Sequence, residues 1–267
     1  MNTAIIMTAI VVGIVGLIVG VLLVTAGEKF KVEVDEKEVA VRAELPGNNC
    51  GGCGYPGCDG LAAAIAKGIA PVNGCPVGGA PVAEKVAAIM GVDSGASVKK
   101  VAFVHCSGSC DVVKTTGEYF GIEDCRAAAV TPGGGNIACS HGCKGYGSCV
   151  KVCDFDAIHV INGVAVVDRS KCAACGKCVA VCPNHLIEII PDTASYMVGC
   201  SSKDKGKAVK DACSAGCIGC TLCVRQCENG AIKMADNHAV IDPDKCIGCG
   251  KCAEKCPSKV IRKRKVK

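Results

Sequence analysis

The spacing of cysteines constrains this chain more than any other feature. Of 267 residues 25 are Cys, and most fall in tight runs. The densest are Cys172-x2-Cys175-x2-Cys178-x3-Cys182-Pro183 and Cys246-x2-Cys249-x2-Cys252-x3-Cys256-Pro257. Neighbours this close cannot all pair with distant partners without heavy strain. A disulfide framework, the usual reading of a Cys-rich secreted chain, is therefore set aside in favour of metal. Trp is absent, with only four Phe and four Tyr, so the aromatic area that fills an ordinary core is missing. Bound metal can replace it, because metal-binding free energy acts directly as folding free energy.

The dense runs belong to an internal repeat. A shift of 74 carries Cys139, Cys143, Cys149 and Cys153 onto Cys213, Cys217, Cys223 and Cys227. The same shift carries Cys172, Cys175, Cys178 and Cys182 onto Cys246, Cys249, Cys252 and Cys256. Eight cysteines register without a gap, so the unit is read as a duplicated whole. Each copy also predicts a hairpin. In the first, Ala157 to Ile161 and Val164 to Asp168 flank Asn162-Gly163; in the second, Ala231 to Met234 and Ala239 to Asp242 flank Asp236-Asn237.

C-x2-C-x2-C-x3-C-P is the bacterial ferredoxin run, in which one loop wraps three irons of a cube and the fourth Cys ligates a neighbouring cube. Zinc needs only pairs of Cys, so the three-plus-one runs disfavour it. In the second copy the expected ligand sets are Cys217, Cys220, Cys223 with Cys256, and Cys227 with Cys246, Cys249, Cys252. In the first, one set is Cys153, Cys172, Cys175 and Cys178. The other departs from the pattern, because Tyr146 stands where the copy has Cys220. Cys139 is the expected substitute, giving Cys139, Cys143, Cys149 and Cys182, with a three-iron or altered cluster as the alternative. A further group, Cys50-x2-Cys53-x4-Cys58-x16-Cys75, is interleaved with Gly51, Gly52, Gly54 and Gly57. Glycines let backbone approach a bulky inorganic core, and this group reads as one self-contained cube, with structural zinc as the alternative. About five [4Fe–4S] clusters follow, at four thiolates to a cube. Cys106, Cys110, Cys125, Cys200 and Cys213 are left over and read as buried thiols acting as small hydrophobes, with a further cluster as the alternative.

The formal net charge of +5 is not a nucleic-acid signal, since each oxidised cube with four thiolates carries roughly two negative charges and the loaded chain would be acidic. At the N-terminus, Ala4 to Ala26 is apolar and uncharged, long enough to span a bilayer core at about 1.5 Å per residue. Only Met1-Asn2-Thr3 precede it, without the basic stretch of a signal peptide. Lys29 and Lys31 follow it, which puts the soluble part in the cytoplasm. Gly16 and Gly20 form one small-x-x-x-small pair, a pattern of helix contact faces, although glycine is common in such helices.

There is no G-x-G-x-x-G and no G-x-x-x-x-G-K-[ST]; Gly133-Gly134-Gly135 fits neither. No nucleotide-binding fingerprint is present, and no bond-making catalytic residues are expected. His105, His141, His159, His185 and His238 are scattered and are not read as cluster ligands. Lys99 and Lys100 read as an exposed pair, and Arg262, Lys263, Arg264 and Lys265 as a solvated basic tail.

ELPGNNCGGCGYPGCDG with Cys75 further on, behind an apolar helix and ahead of ferredoxin repeats, resembles the B subunit of the Rnf complex over nearly the whole chain. The resemblance implies a single-pass subunit of a membrane-bound ferredoxin:NAD+ oxidoreductase in the cytoplasmic membrane. Soluble ferredoxin would be its donor, and other membrane and peripheral subunits would reduce NAD+ and move Na+ or H+. The alternatives are an anchored polyferredoxin serving another redox enzyme, and a zinc-binding interaction module. The expected fold is α+β, with a transmembrane anchor (1–27), a linker (28–45), a small single-cluster domain (46–82), a linker and irregular segment (83–137), ferredoxin-like modules (138–192 and 193–260) and a basic tail (261–267).

Overall fold

The apolar run at the N-terminus forms one long helix, α1 (Asn2–Lys29). The computed structural model describes residues 2–29, 35–95 and 98–264; Lys31 and Lys265 lie outside them. The described side chains of α1 are exposed on every face, Val12, Leu17 and Leu23 among them, and a Cβ built at Gly13, Gly16 or Gly20 would meet nothing within 4 Å. Among the described residues no helix is long and apolar enough to cross a membrane; the side chains of α1 are described without a break only over residues 10–26.

Three helices then enclose the first Cys group: α2 (Glu36–Glu44), α3 (Gly57–Ala66) and α4 (Gly79–Met90). Asp35 caps α2 by accepting the Lys37 amide, a common use of Asp at this position. Gly91 ends α4 at φ 69°, a left-handed cap that glycine adopts without a Cβ penalty. Val41, Leu61, Ile65 and Val86 pack between the helices with almost no exposure. α4 crosses the expected boundary at residue 82 and packs into this core through Val86.

The segment expected to be an irregular linker contains β1 (Lys100–Val104) and α5 (Cys125–Ala129). The first module continues with α6 (Ser148–Lys151), the hairpin β2 (Ile158–Ile161) and β3 (Val164–Val167), α7 (Lys177–Val181) and β4 (Ile187–Pro191). The second begins with β5 (Tyr196–Val198) and α8 (Lys207–Ala212). It continues through α9 (Leu222–Gln226), the hairpin β6 (Ile232–Ala235) and β7 (His238–Ile241), α10 (Lys251–Glu254) and β8 (Ile261–Lys263). Both hairpins turn where expected, with positive φ at Asn162 and Gly163 and at Asp236 and Asn237, as a type I′ turn requires.

Each module closes its sheet with a strand from upstream of its cysteines. β1 pairs antiparallel with β4, setting Val101 opposite Ile190, and β5 pairs with β8, setting Met197 opposite Arg262. β1 thus pairs with the first module from within the expected linker, and β5 with the second. Val101, Ile190, Ala194 and Met197 pack together where the two modules meet. Within the expected basic tail, Arg262 and Lys263 belong to β8 and Arg264 follows directly. That residue is 8% exposed; its Nη1 donates to the carbonyls of Pro191 and Ala194 at 3.3 and 3.0 Å, and its guanidinium lies over the Phe103 ring.

Candidate iron–sulfur centres

Three of the expected cysteine quartets each line a single cavity. Cys217, Cys220, Cys223 and Cys256 surround one of about 350 Å3, Cys227, Cys246, Cys249 and Cys252 one of about 510 Å3, and Cys153, Cys172, Cys175 and Cys178 one of about 360 Å3. In each, three of the cysteines come from one loop and the fourth from the far half of the module. The local reason is the positive-φ residue inside the loops, such as Gly176, Gly219, Gly248 and Gly250, which turns the backbone around the cavity at little cost. Cys50, Cys53, Cys58 and Cys75 gather at the first domain. Cys53, Cys58 and Cys75 pack on the three-helix core, and Cys50 and Cys58 are close enough for their charge to act on Cys75. The Asn49 side chain accepts the Cys58 amide at 2.8 Å, which fixes that cysteine at the start of α3.

The remaining quartet differs from expectation. The cavity that holds Cys143, Cys149 and Cys182, about 370 Å3, is lined by Cys125 and not by Cys139. The delivery of Cys125 is built locally: the Ser148 hydroxyl donates to Asp124 Oδ2 at 2.7 Å and accepts the Cys125 amide at 2.8 Å. Asp124 also caps α5 through the amides of Arg126 and Ala127. Tyr146 stacks at a tilt on Tyr119 instead of approaching the ring. Cys139 faces another cavity, with Cys106, Cys200 and Cys213. So four of the five cysteines read as spare thiols stand in rings with other cysteines; Cys110 is exposed and lines none of these cavities. A signal was present, since Cys139 and Cys213 share the repeat register, but Cys125 has no counterpart in it.

Donor chemistry fits inorganic clusters. Backbone amides point at sulfur in the first domain and the first module: Gly78 to Cys75, Ala157 to Cys153 and Leu186 to Cys182, each at 3.4 Å, and Ala102 to Cys172 at 3.3 Å. Such bonds favour thiolate over thiol and tune cluster potential. Burial works the other way in the metal-free chain. It pushes the Cys149 and Cys178 thiols up to about 12 and Cys223 up to about 11, so metal loading must displace protons. Among the described residues no three His, Cys, Asp or Glu groups converge tightly enough to hold a single metal ion. His159, His185 and His238 line none of these cavities; His105 and His141 border the ring that contains Cys139.

The same stretches match known families. Residues 45–77 match a model described as an Fe-S cluster domain, residues 164–187 a 4Fe-4S binding domain and residues 216–260 a 4Fe-4S dicluster domain. The chain is 46% identical to the B subunit of the Na(+)-translocating ferredoxin:NAD(+) oxidoreductase complex of Acetobacterium woodii, over 92% of this chain and 74% of that protein. The chain belongs to the family of Rnf complex B subunits. It is also 40% identical to the B subunit of the ion-translocating oxidoreductase complex of Methanosarcina acetivorans, over 98% of this chain and 99% of that one. With the corresponding subunit of the proton-translocating complex of Clostridium ljungdahlii it shares 42% identity, over 91% of this chain and 85% of that one. As an Rnf B subunit with 4Fe-4S domains, it is an iron–sulfur electron-transfer subunit of an oxidoreductase.

Proposed function

We propose that this chain is the electron-entry subunit of a membrane-bound ferredoxin:NAD+ oxidoreductase and that it holds [4Fe–4S] clusters in the five quartets begun by Cys50, Cys125, Cys153, Cys217 and Cys227. The observation that carries this reading is the convergence of four cysteines at each of these places, three of them with ligand sets in ferredoxin order. The clusters supply one-electron carriage. The protein supplies the thiolates, the amide bonds to sulfur and an apolar surround that excludes water, and these set potential. Soluble ferredoxin would be the donor. Other subunits of the complex would bind NAD+ and move Na+ or H+, since this chain has no nucleotide-binding glycine motif.

α1 would be the single-pass anchor, with the soluble part on the cytoplasmic side. Its exposed apolar side chains support this, because an apolar surface of that extent calls for a partner surface or lipid. An anchored polyferredoxin serving another enzyme would share the clusters but not the NAD+ linkage. Washed membranes supplied with reduced ferredoxin should form NADH, and deletion of this chain should abolish that activity. Undiminished NADH formation after deletion would leave the polyferredoxin reading standing.

A further inference from the structure

We propose that Cys106, Cys139, Cys200 and Cys213 form a sixth [4Fe–4S] site, built jointly by the two modules and lying between them. The inference rests on the cluster reading of the other quartets. The four cysteines come from four separate segments, yet all line one cavity of about 450 Å3, whose other walls include Val113, Ile137 and Val209. That volume falls within the 350 to 510 Å3 of the rings that carry ferredoxin-type ligand sets. A Cβ built on Gly108 would stand 3.6 Å from the sulfur of Cys106 and 3.7 Å from that of Cys213, so sulfurs from the two halves of the molecule share one small neighbour.

The construction is two-fold. In each module one cysteine follows the outer strand, Cys106 after β1 and Cys200 after β5. Another stands four residues before the module's Cys143 or Cys217. Cys106 Sγ accepts the amides of Gly108 and Cys143, both at 3.4 Å. Cys200 Sγ accepts those of Ser202 at 3.4 Å and Cys217 at 3.3 Å. Burial raises both thiols, Cys106 to about 12, and the two amides on each sulfur oppose it; they are placed to serve a sulfur that binds metal, since a neutral thiol is a weak acceptor. Four spare thiols filling core space, the bland alternative, would need none of this. The Ser107 hydroxyl, buried without a partner among the described residues, borders the same cavity. A single zinc ion would need its sulfurs drawn to about 2.3 Å from one point, and no such convergence exists among the described residues.

The amides of Cys143 and Cys217 tie this ring directly to the nearest ring in each module. Around it the two modules meet through the apolar contact of Val101, Ile190, Ala194 and Met197 and through hydrogen bonds such as that between His105 and the Val198 carbonyl at 2.9 Å, none of which carries an electron centre. With it, a one-electron centre joins them.

The test is the iron and acid-labile sulfide content of the full-length chain purified without oxygen, with cluster counting by native mass spectrometry. Six four-cysteine sites predict about 24 iron and 24 sulfide. The double variant Cys139→Ser/Cys213→Ser should lose about four of each, by the same count, along with one component of the Mössbauer spectrum. Cys110→Ser should lose none. A wild-type count of about 20 iron, with or without one zinc, would overturn the sixth site while leaving the proposed function intact, as would a double variant that keeps the wild-type count. One or two clusters in all would overturn both. The wild-type mass decides the matter even if the double variant does not fold.

Discussion

Tyr146 and Cys125 show how one residue's absence is met from elsewhere in the chain. The repeat asks for a cysteine at position 146, and α5 brings Cys125 to the same ring from 21 residues upstream. Cys125→Ser should therefore cost about four iron per chain, the content of one cube, and adding Tyr146→Cys should restore them because the second module is wired that way. Iron analysis of both variants checks this. A residue of another kind is Asp168, whose carboxylate accepts the Ser170 hydroxyl at 2.6 Å and the Ser170 amide at 2.9 Å. These bonds, the hydroxyl first, hold it below the usual carboxylate range. A depressed carboxyl stabilises the fold above its unfolded value of about 3.9 and loses that contribution as pH falls through its folded value. The gap in denaturation midpoint between wild type and Asp168→Ala should be constant from neutral pH to about pH 5 and close below about pH 4; a gap independent of pH would refute the assignment.

At the scale of elements, the modules depend on a close fit between a Cys loop and a hairpin turn. Gly145 has φ 77° and a Cβ there would lie 2.9 Å from the Gly163 carbonyl. Its repeat partner Gly219 has φ 70° and a Cβ there would lie 2.8 Å from the Asn237 carbonyl. Alanine at either position takes on left-handed strain of about 1–2 kcal/mol and a backbone collision as well. Each substitution should lower stability by at least that amount in urea denaturation of the loaded protein, and Gly230→Ala, with φ 60° but nothing within 4 Å, should cost only the strain. The hairpins themselves were legible in advance, because Asn-Gly and Asp-Asn between alternating apolar residues specify their turn locally. The outer strands were not. β1 and β5 are five and three residues long and each is completed by a partner far along the chain, so neither carries a pattern that sets it apart from a linker.

Across the whole molecule, the first domain and the first module meet at Gly52. A Cβ there would fall 2.7 Å from the Cys175 carbonyl oxygen, so the loop of Cys50 and Cys53 lies directly against the loop of Cys172, Cys175 and Cys178. Gly52→Ala should force the two apart without removing a ligand. Iron content should stay at the wild-type level, while magnetic interaction between reduced clusters weakens and electron exchange between them slows; unchanged EPR line shapes would show that this contact does not set their separation. The rings then follow one another from the first domain through both modules, a layout suited to a carrier that takes electrons at one place and delivers them at another.

The sequence by itself determined the cysteine rings whose members are close in the chain, because three cysteines two residues apart can wrap only one object. It also determined the duplication, the hairpins and the apolar helix. Only the tertiary structure decided which cysteine replaces Tyr146 and that Cys106, Cys139, Cys200 and Cys213 share a cavity. The physical reason is distance along the chain. Thirty-three residues separate Cys106 from Cys139 but thirteen separate Cys200 from Cys213. The longer first-copy segment, which carries Cys125, hides the two-fold relation until the strands β1 and β5 are paired.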